Sequence, residues 1–263
     1  MDASELFRAG QLRAAIDAQI QKVKGAPADK GARLFLFDLL LFTGDYDRAK
    51  KHLDMLDYDN PQSMAAVECY HMALDAEKMR AAVFAGQEKP LFLGAAPDHA
   101  VGRLRALRQY ADNQTAEGHD TLAKATEQTP TVNGSLNGEP VAGLRDGDDL
   151  LGPILEVLIH DKYCWVPLED VATLDLSPPK TPRDILWRPA RLTLKGQNEN
   201  QALVCGLYHG SAKNPDEAVQ LGRVGDLVGD DGSPLRGIGG RLFLAGEQWS
   251  LFKDWEEWLG SDQ

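Results

Sequence analysis

The sequence predicts an α+β protein: an all-helical array over residues 1–129, followed by a β-rich region over residues 130–263. Three observations lead there. Apolar residues in the first half recur at helical spacing. Small and turn-forming residues in that half repeat at a fixed offset. Near residue 130 the chain changes to Asn-Gly turns and alternating segments.

The repeat is the clearest internal signal. Gly10 returns as Gly44, Leu12 as Tyr46, Ala15 as Ala49, Pro27 as Pro61, and Leu6 as Leu40, each offset by 34. That is the period of the tetratricopeptide repeat, a helix–turn–helix unit. The glycines release the chain into turns where a Cβ is costly. The alanines allow close helix approach, and each proline is expected after the second helix of its unit, where it stops continuation. Helices are predicted at about 3–9, 12–24, 32–43 and 46–56. The third is apolar almost all round, which calls for packing on several sides. A longer helix over about 62–85 does not repeat the signature, and helices at about 97–112 and 115–128 close the array as a cap. Such an array offers a groove for a helix or an extended peptide. Phe7, Phe35, Leu39 and Tyr46 are its apolar contact candidates.

In the second half, Asn133-Gly134 and Asn137-Gly138 mark turns. Leu155, Val157 and Ile159 alternate with their neighbours, and His160-Asp161-Lys162 turns into Tyr163–Pro167, which reads as a hairpin; a helix over 152–159 competes with it. Further strands are expected at 171–176, 190–194, 202–207 and 241–245, with glycine-rich loops over 222–240. The tail from Trp249 to Trp258 reads as a last strand or a docked helix.

Hydrophobic residues make up 43% of the chain and charged residues 26%, the balance of a protein with a real core. The net charge is −12, of which −3 falls in residues 1–129 and −9 in residues 130–263. A nucleic-acid backbone would be repelled by that field. The most apolar run, Leu34–Phe42, is far shorter than the roughly 20 residues a bilayer span needs. The start of the chain has no basic and apolar leader, and Cys69, Cys164 and Cys205 are too far apart for a disulfide framework. A cytoplasmic protein is the expectation.

Catalytic patterns are sparse. Asp146-Gly147-Asp148-Asp149 is the densest acidic cluster, and carboxylates on one loop suit Mg²⁺ or Ca²⁺. It lacks the EF-hand series, so a solvated turn bonding its own backbone is the favoured reading. A metal-dependent enzyme centred on Asp146, Asp148 and Asp149 is the alternative, and a self-associating structural protein a second. The histidines show no metal-binding pairing. Cys164 and Cys205 each lie four residues from a histidine, but on strands, where that spacing exceeds 13 Å at roughly 3.3 Å per residue. Trp165, Trp187 and Trp249 read as core aromatics. No cofactor is expected.

Several segments, weak singly and specific in order, resemble the ImpE family (also SciE or TagJ) of bacterial type VI secretion accessory proteins. In the first half they are Leu6–Leu12, Leu34–Leu40 and Arg80–Gly86; in the second, Gly152–Glu156, Tyr163–Leu168, Arg183–Ala190, Tyr208–Ser211 and Leu221–Arg223. The residues carrying the motifs are Asp146, Asp148, Glu156, Tyr163, Trp165, Pro167, Asp184 and Trp187. Two positions depart from the pattern. His209 replaces a proline, and Leu150 stands where the acidic turn usually has an arginine, so an ion pair from that arginine is lost or replaced. The resemblance implies a non-catalytic cytoplasmic adaptor that binds the N-terminal helix of the sheath small subunit.

Overall fold

The computed structural model describes residues 1–230 and 232–261. Asp231, inside the expected glycine-rich loop, and Asp262 and Gln263, at the end of the expected β region, lie outside the described residues.

The first half is helical: α1 (Ala3–Arg8), α2 (Leu12–Gly25), α3 (Lys30–Leu41), α4 (Tyr46–Leu53), α5 (Pro61–Phe84), α6 (Asp98–Ala111) and α7 (Thr115–Glu127). Local chemistry starts most of them. Asp2 and Glu5 form a capping box on α1. Asp29, Asp45 and Asn60 accept backbone N–H bonds at the starts of α3, α4 and α5. Pro61 does not stop a helix, as the repeat pattern suggested; it is the first residue of α5, where its missing N–H costs nothing. Gly10 and Gly44 take φ of 83° and 68° at equivalent turns. Ala15 and Ala49 are fully buried.

The start of α2 is different, because Gln11 supplies no side-chain cap. The carboxylate of Glu217, from the far end of the chain, accepts the N–H groups of Leu12 and Arg13, both at 3.0 Å. Arg223 donates to the carbonyls of Phe7 and Arg8 at the end of α1. Residues some 200 positions away thus complete the first helical turn.

Strands follow in order: β1 (Asn133–Leu136), β2 (Glu139–Ala142), β3 (Arg145–Asp146), β4 (Ile154–Ile159), β5 (Lys162–Pro167), β6 (Val171–Leu176), then the short helix α8 (Arg183–Leu186) and β7 (Trp187–Leu194) and β8 (Glu199–Cys205). After the short α9 (Glu217–Gln220) come β9 (Gly225–Val228), β10 (Arg236–Gly239), β11 (Leu242–Ala245), β12 (Gln248–Leu251) and β13 (Glu257–Gly260). Eight strands form one antiparallel sheet in the order β2-β1-β13-β6-β7-β8-β4-β5. The Asn137-Gly138 turn closes the β1–β2 hairpin with both residues at positive φ. Strands β3, β11 and β12 make a second sheet, and the expected glycine-rich loop contains the β9–β10 ribbon. The tail is strand on both sides of a short turn, not a docked helix. Leu91 pairs with the outer edge of β5, exchanging bonds with Tyr163 and Trp165 and covering those backbone groups.

Both faces of the large sheet are buried. On β4 and β5, Ile154, Leu158, Tyr163 and Trp165 join the helical interior, while Leu155, Val157, Cys164 and Val166 join a second cluster on the other face. Helix α5 lies against β4 and β5, so one apolar interior runs from the first repeat into the sheet.

Candidate functional site

The seam between α5 and the sheet carries a chain of buried charges. Arg80 donates to Glu156 from Nε at 2.8 Å and from Nη2 at 3.1 Å, and its Nη1 lies 3.4 Å from Glu77. Arg241 bridges Glu156, at 3.2 Å, and Asp146, at 2.5 Å. Glu156, Asp146 and Arg241 are essentially without solvent exposure. Burial alone would push the Glu156 carboxyl up, but Arg80 and then Arg241 reverse this and bring it down to about 2. Burial wins at Asp146, which rises to about 6 despite Arg241.

Neutral groups complete the network. Tyr163 donates to Glu156 at 2.5 Å, and Trp165 donates to the Tyr163 hydroxyl at 2.7 Å. Trp187 donates to Glu77 at 3.0 Å, and Tyr208 to Asp146 at 2.8 Å. The Tyr208 ring lies where a Cβ on Gly237 would be, so that position needs glycine. Five family-motif residues therefore meet in one place: Asp146, Glu156, Tyr163, Trp165 and Trp187. Pro167 ends β5 opposite Ile154. Asp184 accepts the N–H groups of Lys180 and Thr181 and shapes the loop before α8. The central cations, Arg80 and Arg241, enter the sequence reading only as the first residues of the 80–86 segment and of the expected 241–245 strand, with no charge role given to either. Glu77 and Arg80 sit three apart on α5, a pairing signal the sequence did carry.

The acidic turn bonds its own backbone, as the sequence suggests, but corrects the rest of that reading. It is not solvated: Asp146 and Asp148 are buried. Asp148 receives the N–H groups of Leu150, Leu151 and Gly237 and the Nε of Arg236. Asp149 pairs with Arg145 at 2.6 Å. Arg236 and Arg241 supply the cations for Asp148 and Asp146. These carboxylates are occupied by cations and amides, and among the described residues no group of three or more His, Cys, Asp or Glu is arranged to hold a metal ion. Trp249 is a second correction. It is 54% exposed rather than core.

Above the network the seam opens into a cleft of about 740 Å³, walled by α5 and α6 on one side and by residues 207–213 and 236–237 on the other. Of the four groove candidates, only Tyr46 lines it, with its hydroxyl 3.5 Å from Glu77. Phe7 and Phe35 are half-buried and pack edge to face at 6.3 Å, with Phe42 5.5 Å from Phe7. Leu39 is fully buried and presents no surface to a partner. The four do not converge on one groove. Cys164 and Cys205 are buried, with burial pushing the Cys164 thiol up to about 11 and that of Cys205 higher still.

Fold and seam together define a class: a short helical-repeat array built onto an antiparallel sheet and open at the junction. Residues 6–68 match the model of the tetratricopeptide repeat, and residues 138–257 match that of the ImpE protein. The chain is 35% identical over 254 residues to the type VI secretion system accessory component TagJ of Pseudomonas aeruginosa, covering 94% of this chain and 87% of that one. It belongs to the ImpE family. Protein VPA1032 from Vibrio parahaemolyticus, solved by X-ray crystallography, shares the fold with a TM-score of 0.90 at 20% identity, covering 99% of this chain and 98% of that one. No described helix is long and apolar enough to cross a membrane.

Proposed function

We propose that this chain is a non-catalytic, cytoplasmic adaptor of a type VI secretion apparatus, binding a helical segment of the sheath small subunit. The observation carrying the reading is the 35% identity, over nearly the whole chain, to a type VI secretion accessory component. The architecture supports it, because a repeat array joined to a sheet is suited to receiving a helix. The carboxylates best placed for chemistry are instead bound by arginines and backbone amides.

The test is a titration of the full chain with the N-terminal helical peptide of the sheath small subunit encoded beside it. Saturable binding at micromolar peptide, lost when the peptide's apolar stripe is made polar, is the expected result. Absence of binding at high micromolar peptide would sink the reading.

A further inference from the structure

The walls of the seam cleft are built from small side chains. Ala81 and Ala85 are exposed at the end of α5, one turn apart, and Ala111 is exposed at the end of α6. Gly44 and Gly210 supply bare backbone from the facing loops. Small residues on facing walls leave room for another backbone to come close. The floor is apolar and aromatic, with Phe84 stacked on His209 at 4.4 Å and Leu107 and Tyr110 beside them.

The charge of the cleft is opposite to that of the molecule. Its one lining carboxylate among the described residues, Glu77, is buried and engaged by Arg80, Trp187 and Tyr46. Arg80 is in turn bound by Glu156. At the rim stand Arg236, held to Asp148 through Nε only, and Lys213, exposed and with no carboxylate within ion-pair distance among the described residues. Desolvation and the nearby Arg80 hold His209 down to about 4, so it is neutral at pH 7. A chain of net charge −12 thus places two cations at the rim of an apolar floor, Arg236 shared with Asp148 and Lys213 without a carboxylate partner among the described residues. The floor also presents two polar atoms without partners among the described residues, the Gln220 Oε1 and the Tyr110 hydroxyl.

We infer that this cleft, rather than the exposed side of the repeat helices, is the docking site for a partner helix that seats an apolar residue between α5 and α6 and presents a carboxylate to Lys213 and Arg236. The inference rests on the adaptor reading and fixes its location and charge requirement. An apolar anchor is supplied with a pocket, and the acid fixes the direction in which the helix lies. Rim charges of this kind act mainly on association rate and are screened by salt.

The experiment measures peptide affinity by fluorescence anisotropy, with the full chain and the labelled sheath-subunit peptide. Ala81→Trp fills the cleft from an exposed position and is expected to weaken binding at least about tenfold, the scale set by losing one buried apolar anchor. Lys213→Glu is expected to weaken it about threefold to tenfold at low salt, less at high salt, with recovery when the peptide's acids are changed to lysine. Met64→Glu, on the exposed first turn of α5, is expected to bind as the unaltered chain does. Circular dichroism verifies folding, and Lys213→Glu decides alone if Ala81→Trp is misfolded. Normal binding by both cleft variants would overturn the location and leave the adaptor reading standing. No binding by the unaltered chain would remove both. Sedimentation showing a dimer that Ala81→Trp dissociates would assign the cleft to a second copy instead, and the inference would fail.

Discussion

The two faces of the large sheet each carry a buried cluster, but the two are built differently. The face toward the helices holds Arg80, Glu156, Arg241, Asp146, Tyr163 and Tyr208 in one hydrogen-bonded network. The opposite face packs against Leu155, Val157, Leu192, Val204, Phe243, Phe252, Trp255 and Trp258, an interior of aliphatic and aromatic groups with no buried ion pair of its own among the described residues. Dry packing is non-directional and tolerates volume-conserving exchange. A charged seam is satisfied in one arrangement only, since any shift of α5 over β4 would leave a buried charge unpaired. The difference suggests that apolar burial supplies most of the adhesion, whereas the charges fix how the helical layer is seated on the sheet and hence the shape of the cleft above.

That comparison can be broken on each side. Arg241→Ala leaves Asp146 and Glu156 buried without their shared cation, and a loss of about 3–5 kcal/mol is expected in urea unfolding. Replacing Glu77, Arg80, Asp146, Glu156 and Arg241 together by apolar residues of similar volume, so that no buried charge is left unpaired, is expected to recover much of that loss. If it instead proved worse than the single change, the seam would be a net source of stability rather than of orientation. On the dry face, Leu192→Ala opens a cavity at a fully buried position, with an expected cost of about 2–5 kcal/mol by the same measurement.

A smaller effect tests how the far end of the chain supports the first repeat. Glu217→Ala removes the carboxylate that caps α2, with an expected loss of about 1 kcal/mol. Hydrogen exchange should quicken at the start of α2 before it does in α5. Unchanged exchange would mean that the cap contributes nothing measurable.

The last effect is a pH slope. Asp38 on α3 pairs with Arg183 of α8 at 2.6 Å, and burial raises its pKa to about 7 against the pull of Arg183. The unfolded carboxyl titrates near 4. Between about pH 4 and 7 the folded chain therefore keeps a proton that the unfolded chain has released. This contribution to stability is full below pH 4 and is lost as the pH rises through 7. Asp38→Asn is expected to flatten the decline in unfolding free energy over that window, and an unchanged slope would assign it to other groups.

Much of the helical layer was legible because its signals are local. Gly10 and Gly44, and Ala15 and Ala49, act within a turn of their own positions. The 154–167 hairpin was legible for the same reason, through its alternation and turn. The β9–β10 ribbon was not, since a glycine-rich sequence gives no alternating pattern. At the site, the motif residues Asp146, Glu156, Tyr163, Trp165 and Trp187 could be named but not joined. The cations that link the carboxylates among them, Arg80 and Arg241, come from the helical half and from near the end of the β-rich half.

By itself, then, the sequence determined the α+β class, the repeat period and the family, because propensity, turn chemistry and motif order are written in neighbouring residues. Only the tertiary structure decided that Asp146 and Asp148 are buried, that Leu39 is core and Trp249 surface, and that a basic cleft opens at the seam. Those outcomes depend on which distant groups meet. A carboxylate is driven into an interior only when cations and amides wait there to receive it, and no local pattern records that meeting.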